Sequence, residues 1–285
     1  MHQKLIIGGV DEAFNVPWKR VIQRKPVLAR GLEIEWQDFA GGTGQIMRAL
    51  NANEIQVATV LTEGVVSDIY KNNQSRIFSS YVISPLEWGV HVHENSPCQQ
   101  ISDIRDAVIA ISKFGSGSHL MPILNAYENH WDVHALRFKE INNLAGGLAA
   151  LKNKEADVFF WEKHTTRSYL KPNQLKYIGS FSGPWGAFVV AINNKLDNED
   201  HQNLTALLKL VFEEAFSFKL SHLSAPYITR FNNMDLPTAQ SWLKTTRFAA
   251  TPGYNLLEVL KVKEILFRSE ILQERPHHEV DFFVS

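Results

Sequence analysis

Ala49-Leu50 is followed four residues later by Glu54-Ile55-Gln56-Val57, and the arrangement returns as Ala150-Leu151 followed by Glu155-Ala156-Asp157-Val158, displaced by 101 residues from Ala49 to Ala150. In each copy an apolar helix face (Ile46, Ala49, Leu50; Leu148, Ala149, Leu151) meets a short turn and then an apolar strand, Ile55 to Val60 or Ala156 to Trp161. A unit that occurs twice predicts two lobes, and 285 residues of which 45% are hydrophobic suffice for two cores. Each repeated strand ends in a polar or aromatic cluster, Leu61-Thr62-Glu63-Gly64 and Trp161-Glu162-Lys163-His164. Ligands of open α/β sheets bind at such strand ends, so the clusters are expected to face each other across a cleft.

The rest of the chain extends this pattern. Leu5 to Val10 reads as a strand, Trp18 to Val27 as a short helix and Leu32 to Trp36 as a strand, before Ala40-Gly41-Gly42-Thr43-Gly44-Gln45 opens the next helix. A second unit begins with the strand Ala107 to Ile111 and the helix Ser118 to Asn129. Such alternation predicts parallel-type sheets covered by helices. Ser84-Pro85-Leu86-Glu87-Trp88-Gly89 and Gly183-Pro184-Trp185-Gly186 both place a Pro and a Trp-Gly pair ahead of an apolar strand, and they bracket the second unit. We read them as two crossover hinge strands, which divides the chain into lobe one (1–86 and 190–285) and lobe two (87–189). Beyond Asn193 the periodicity predicts helices over Leu204–Leu220, Ala239–Thr246 and Asn255–Phe267, with Pro276 to Glu279 as a surface tail.

A net charge of −1 and the lack of any Lys/Arg run argue against nucleic acid as a partner. No apolar run approaches the roughly 18 residues that span a bilayer, so direct membrane insertion is not expected. Four residues ahead of the first strand leave no room for a leader, which points to the cytoplasm as the sequence stands, and to the periplasm had a leader been removed. The single Cys98 cannot pair within the chain and lies in a polar loop without a basic neighbour, so no catalytic thiolate is expected.

Gly42-Thr43-Gly44 and Ser116-Gly117-Ser118 each follow a strand and open a helix, so their N–H groups and positive helix ends would converge on an anion from opposite lobes. Each alone could be a capped turn. Glu12 and Phe14 follow the first strand, Trp88 and Trp185 lie on the hinges and Trp161 ends the second repeat, a composition suited to a flat ligand. Thr62 and the carboxylates Glu63 and Glu162 sit at the matching repeat ends, where they could accept from a ligand amine or bond a hinge. His91-x-His93 lacks a third ligand, so neither a metal nor a cofactor is expected, and no nucleophile signature assigns a catalytic residue.

The phrases Gly42-Thr43-Gly44, Leu61-Thr62-Glu63-Gly64, Ser84-Pro85-Leu86, Gly115-Ser116-Gly117-Ser118, Trp161-Glu162 and Pro184-Trp185 resemble the type II periplasmic-binding-protein-like family, from about Leu5 to Ile192. The branch is a sparsely characterised one with fungal and bacterial members, often lacking a signal peptide, and is similar to the nitrate, sulfonate and thiamine-precursor receptors of ABC importers. One departure is Ala13 before Phe14, where related sequences carry a His. The resemblance implies a solute-binding protein whose lobes close on an anionic or aromatic molecule, with an ABC permease as the macromolecular partner. The alternative is an intracellular enzyme on the same fold, resembling thiamine-pyrimidine synthases or menaquinone-pathway enzymes.

Overall fold

A computed structural model describes residues 4–26, 31–170, 175–232, 234–272 and 281–283. In order, the first part contains β1 (Lys4–Gly9), α1 (Val16–Gln23), β2 (Glu33–Asp38), α2 (Gly42–Asn51), β3 (Val57–Leu61), α3 (Thr62–Asn72) and β4 (Ser75–Val82). The middle contains β5 (Trp88–His93), β6 (Val108–Ile111), α4 (Gly117–Glu128), β7 (Arg137–Glu140), α5 (Leu144–Lys152), β8 (Val158–Glu162), α6 (Lys163–Thr166) and β9 (Leu175–Phe181). The chain then returns through β10 (Phe188–Asn193) and ends in α7 (Asn198–Leu220), α8 (Ser224–Phe231), α9 (Leu236–Thr245) and α10 (Leu256–Arg268).

The repeat is structural as well as sequential. At the end of α2 the N–H groups of Glu54 and Ile55 both donate to the carbonyl of Ala49, and at the end of α5 those of Glu155 and Ala156 both donate to that of Ala150. Asn53 and Lys154 turn the chain at left-handed φ of 60° and 59°. These turns delay β3 and β8 until Val57 and Val158, two residues later than the apolar runs suggested.

Among the described residues ten strands form two sheets of matching order, β2-β1-β3-β10-β4 and β7-β6-β8-β5-β9. In the first, β1 is parallel to β2 and β3, while β10 is antiparallel to both β3 and β4. In the second, β6 is parallel to β7 and β8, and β5 is antiparallel to β8 and β9. Four strands of each sheet therefore run one way, as the alternation predicted, and only the crossing strand is reversed. It arrives from the other sheet and so enters from the opposite end. The boundary expected at Val190 falls inside β10, whose Phe188 and Val189 pair with Leu61 and Val60 of the first sheet.

Helices begin where side chains satisfy first-turn N–H groups. Asp197, Asp235 and Asn255 accept from Asp200, Thr238 and Glu258 and so start α7, α9 and α10. The cap at Asp197 places the start of α7 six residues ahead of the expected Leu204. Pro276 to Glu279 lie outside the described residues. One apolar core runs from Leu5 and Trp18 through Leu61 and Trp88 to Val158 and Phe160, and thus spans both sheets. A second core covers the other face of the second sheet, where Ala150 and Leu151 of α5 pack with Ala110 and Phe159.

Phe159 is fully buried, packs its ring 5.1 Å from that of Trp161 at a tilt of 32° and lies under Gly147, where even a methyl group would meet its ring at 2.6 Å. Phe159→Ala is expected to lower stability by about 3–5 kcal/mol, through lost transfer energy and the cavity left behind, as measured by urea unfolding.

Candidate functional site

The two crossing segments, residues 83–87 and 182–187, touch each other. The N–H of Ala187 donates to the carbonyl of Ser84, at 3.0 Å. Around this contact, Thr62 donates its hydroxyl to Gly186 O (2.5 Å), Trp185 donates Nε1–H to the Glu63 carboxyl (2.9 Å), and Gly186 N–H donates to Glu258 of α10 (2.8 Å). Gly186 is required by close approach, since a Cβ there would lie 2.9 Å from Val82 O.

Beside the crossing, a cavity of about 520 Å³ is lined by both sheets' strand ends and helix starts. From the first sheet come Asp11, Glu12, Phe39, the turn Ala40 to Thr43, and Leu61. From the second come Ser116, Gly117 and Ser118 at the start of α4, Asn142 to Ala145 and Leu148 around the start of α5, and Trp161, Glu162, Thr165 and Tyr169. Leu86, Trp88 and Phe188 close it along the crossing.

Of the residues singled out from sequence, Glu12, Gly42, Thr43, Trp88, Ser116, Gly117, Ser118, Trp161 and Glu162 line this cavity. Phe14, Gly44, Thr62, Glu63 and Trp185 do not. Phe14 is buried against Phe188 and Trp242, at 4.9 and 5.1 Å between ring centroids. Gly44 lies a step further along α2, past the turn that faces the cavity. Thr62, Glu63 and Trp185 are committed to one another and to Gly186, so they build the hinge rather than the wall. The hydroxyls of Ser116 and Ser118 are also engaged within their loop. Ser116 donates to Lys113 O (2.6 Å), and Ser118 Oγ accepts from Ser112 N–H (2.8 Å). What the start of α4 offers the cavity is therefore mainly backbone N–H, with first-turn groups that have no acceptor inside the helix. Gly117 keeps this approach open, because a Cβ there would meet the Trp88 ring at 2.5 Å and Leu61 of the first sheet at 2.9 Å.

The residues missed by sequence reasoning follow the rule that found the others. Asn142 and Asn143 also stand between a strand, β7, and a helix, α5, but without a Gly-rich signature. Asn143 accepts from Gly146 N–H (2.9 Å), so that helix end is partly satisfied. Phe39, Leu61, Leu86 and Phe188 carry no signal in sequence that distinguishes a wall from a core.

The charges in the cavity are carboxylates. Glu162 accepts from the N–H groups of His164 (3.0 Å) and Thr165 (2.6 Å) and from the Thr165 hydroxyl (2.7 Å), which caps α6 and spreads its charge over three donors. Glu12 is half-buried in the wall of the cavity. Burial first, then Glu162 and Asp11, pushes its pKa up to about 8. In the hinge, burial pushes Glu63 up to about 7 against the opposing pull of its backbone and Trp185 hydrogen bonds.

A search of curated proteins gives no match. Residues 88–181 match the family model described as Ca3427-like PBP. Among solved structures, the Candida albicans CA3427 gene product, described as defining a new family with the generic periplasmic binding protein fold, superposes with a TM-score of 0.86 at 24% identity over 96% of this chain and 92% of its own. The chain has the type II periplasmic-binding-protein fold. The same fold is seen in the alkanesulfonate-binding protein SsuA of Xanthomonas axonopodis pv. citri bound to MOPS, with a TM-score of 0.80 at 14% identity over 96% of this chain and 95% of that one. It is seen again in the ligand-binding component of an ABC-type import system from Staphylococcus aureus, with a TM-score of 0.76 at 13% identity over 100% and 97%. Among the described residues no helix is long and apolar enough to cross a membrane.

The hinge carboxyl makes a prediction about pH. Glu63 holds its proton to about pH 7 when folded but only to about 4.5 when unfolded, so stability declines as pH rises through that window. Glu63→Gln keeps an acceptor for Trp185 and cannot ionise. It is expected to gain on the order of 2–3 kcal/mol relative to the wild type at pH about 8, and little at pH about 4.5, in urea unfolding at the two values.

Proposed function

We propose that this protein is a solute-binding protein whose two lobes close on a small organic molecule with an anionic group and an aromatic or apolar body. The observation that carries this reading is the convergence on one cavity of two helix starts from different sheets, Gly42-Thr43 of α2 and Gly117-Ser118 of α4. Converging N–H donors and helix dipoles stabilise negative charge without a formal cation. Trp88, Trp161 and Phe39 supply flat walls for the remainder. SsuA, of the same fold, is an alkanesulfonate-binding protein, which supports an organic anion as the ligand class.

The bodies that close are the two sheets with their helices, hinged at residues 83–87 and 182–187 around the Ala187–Ser84 contact and the bonds to Gly186. On this reading the macromolecular partner is the permease of an ABC importer, as the role of the Staphylococcus aureus protein suggests. The enzyme reading is favoured by one observation, the half-buried Glu12 carboxyl with its raised pKa in the cavity, since such groups serve as general acids.

Titration with 3-phenylpropanesulfonate, followed by calorimetry, tests the proposal. Binding is expected in the wild type, and Trp161→Ala is expected to weaken it by about 5- to 30-fold, the loss of one aromatic wall. Gly117→Ala, whose new methyl group enters the space of Trp88 and Leu61, is expected to weaken it at least as much. Tighter binding of benzyltrimethylammonium than of the sulfonate would reverse the assignment of charge. Chemical conversion of the bound solute, in place of reversible release, would establish the enzyme instead.

A further inference from the structure

The cavity presents two kinds of electrostatic feature that a simple anion cannot satisfy together. The starts of α2 and α4 are positive, yet the charged side chains that line the cavity are Asp11, Glu12 and Glu162, and neither Lys nor Arg is among the described lining residues. Two of these carboxyls are already held. Asp11 is bonded to Lys19 (2.6 Å), which also reaches Asp38, and Glu162 caps α6. Glu12 differs. Its backbone is fixed, with Glu12 N–H donating to Val10 O (2.9 Å) and its carbonyl accepting from Asn15 N–H (3.0 Å), but its carboxyl is given no donor by the described residues.

We infer that the ligand is a zwitterion, with its anionic group at the starts of α2 and α4 and a cationic nitrogen at Glu12, between Trp88 and Trp161. This rests on the reading above and narrows it. An anion alone would leave the Glu12 carboxyl unmatched and face the Glu162 carboxylate across a cavity of about 520 Å³, and a cation alone would face two helix starts. A zwitterion satisfies both ends, and its cation gains the faces of the tryptophan rings.

The protonation of Glu12 gives the inference a second consequence. The groups that face its carboxyl are Asp11 on its own segment, itself paired with Lys19 of α1, and Glu162 of the second sheet, with His164 behind it. These carboxylates and burial keep Glu12 protonated in the empty cavity up to about pH 8. A cation that binds there ionises it and expels the proton. Affinity therefore rises with pH up to about 8 and levels off above it, by up to about tenfold per pH unit.

Three probes separate the possibilities: 3-(benzyldimethylammonio)propanesulfonate, 3-phenylpropanesulfonate and benzyltrimethylammonium, each titrated calorimetrically in buffers of different ionisation enthalpy. The zwitterion is expected to bind at least tenfold more tightly than either singly charged probe and to release a proton at pH about 7. In Glu12→Gln that preference and the proton release disappear, while binding of 3-phenylpropanesulfonate is kept or improved. Glu155→Gln, a change to a surface carboxylate away from the cavity that pairs with Lys139, keeps the preference. Equal binding of the zwitterion and the sulfonate, with Glu12→Gln without effect, would overturn the zwitterion and leave the anion site standing. Binding of the cation alone, or of none of the three at about 10 mM, would overturn both.

Discussion

The contact between the two crossing segments governs the rest of the molecule. Two α/β units that exchange a strand must pass the chain between them twice, and the passages at residues 83–87 and 182–187 meet in the Ala187–Ser84 hydrogen bond. Such a meeting leaves backbone groups outside the ladders of the sheets: those of Gly186 find the side chains of Thr62 and Glu258, while Ile83 N–H and Ala187 O find the backbone of Arg247 and Thr62, and Ser84 Oγ accepts in turn from Arg247 N–H at 3.0 Å. The crossing thereby ties the first sheet, the second sheet and the C-terminal helices at one place. It also fixes the cavity, because Leu86, Trp88 and Phe188, which wall it, stand directly beside these bonds.

What the cavity can hold follows from a balance between backbone and side-chain electrostatics. Helix starts bring positive potential that cannot be titrated away, whereas the carboxyl of Glu12 changes charge with its surroundings. An empty cavity keeps Glu12 neutral, which costs less than enclosing a third negative charge beside Asp11 and Glu162. On the zwitterion proposal, one end of the ligand thus meets a potential that stays fixed and the other a carboxyl that ionises on binding. The hinge carboxyl Glu63 shows the same physics without a ligand: enclosed, with one donor from Trp185, it is held toward the neutral form.

Much of the candidate site was legible because helix starts announce themselves. Gly42-Thr43 and Ser116-Gly117-Ser118 were found by their place after a strand, and that place alone directs their N–H groups to the sheet edge. Thr62, Glu63 and Trp185 stand at strand ends too, yet they face the crossing instead. A strand end has two sides, and only the path of the neighbouring segment decides which is solvent and which is hinge. A short turn lets the hydroxyls of Ser116 and Ser118 bond Lys113 and Ser112 within their own loop, so that segment turns its backbone to the cavity.

The sequence by itself determined the duplication, and with it the α/β class and the two sheets, because periodicity and a turn that recurs 101 residues apart are local properties of the chain. Even the left-handed turns at Asn53 and Lys154 lie at equivalent places. The tertiary structure alone decided that the exchanged strands run antiparallel, that Phe188 belongs to the first sheet, and that Glu63 and Trp185 face the crossing while Glu12 and Glu162 line the cavity. Those facts depend on how two distant segments meet in space, and strand direction and electrostatic neighbourhood are set at that meeting rather than along the chain.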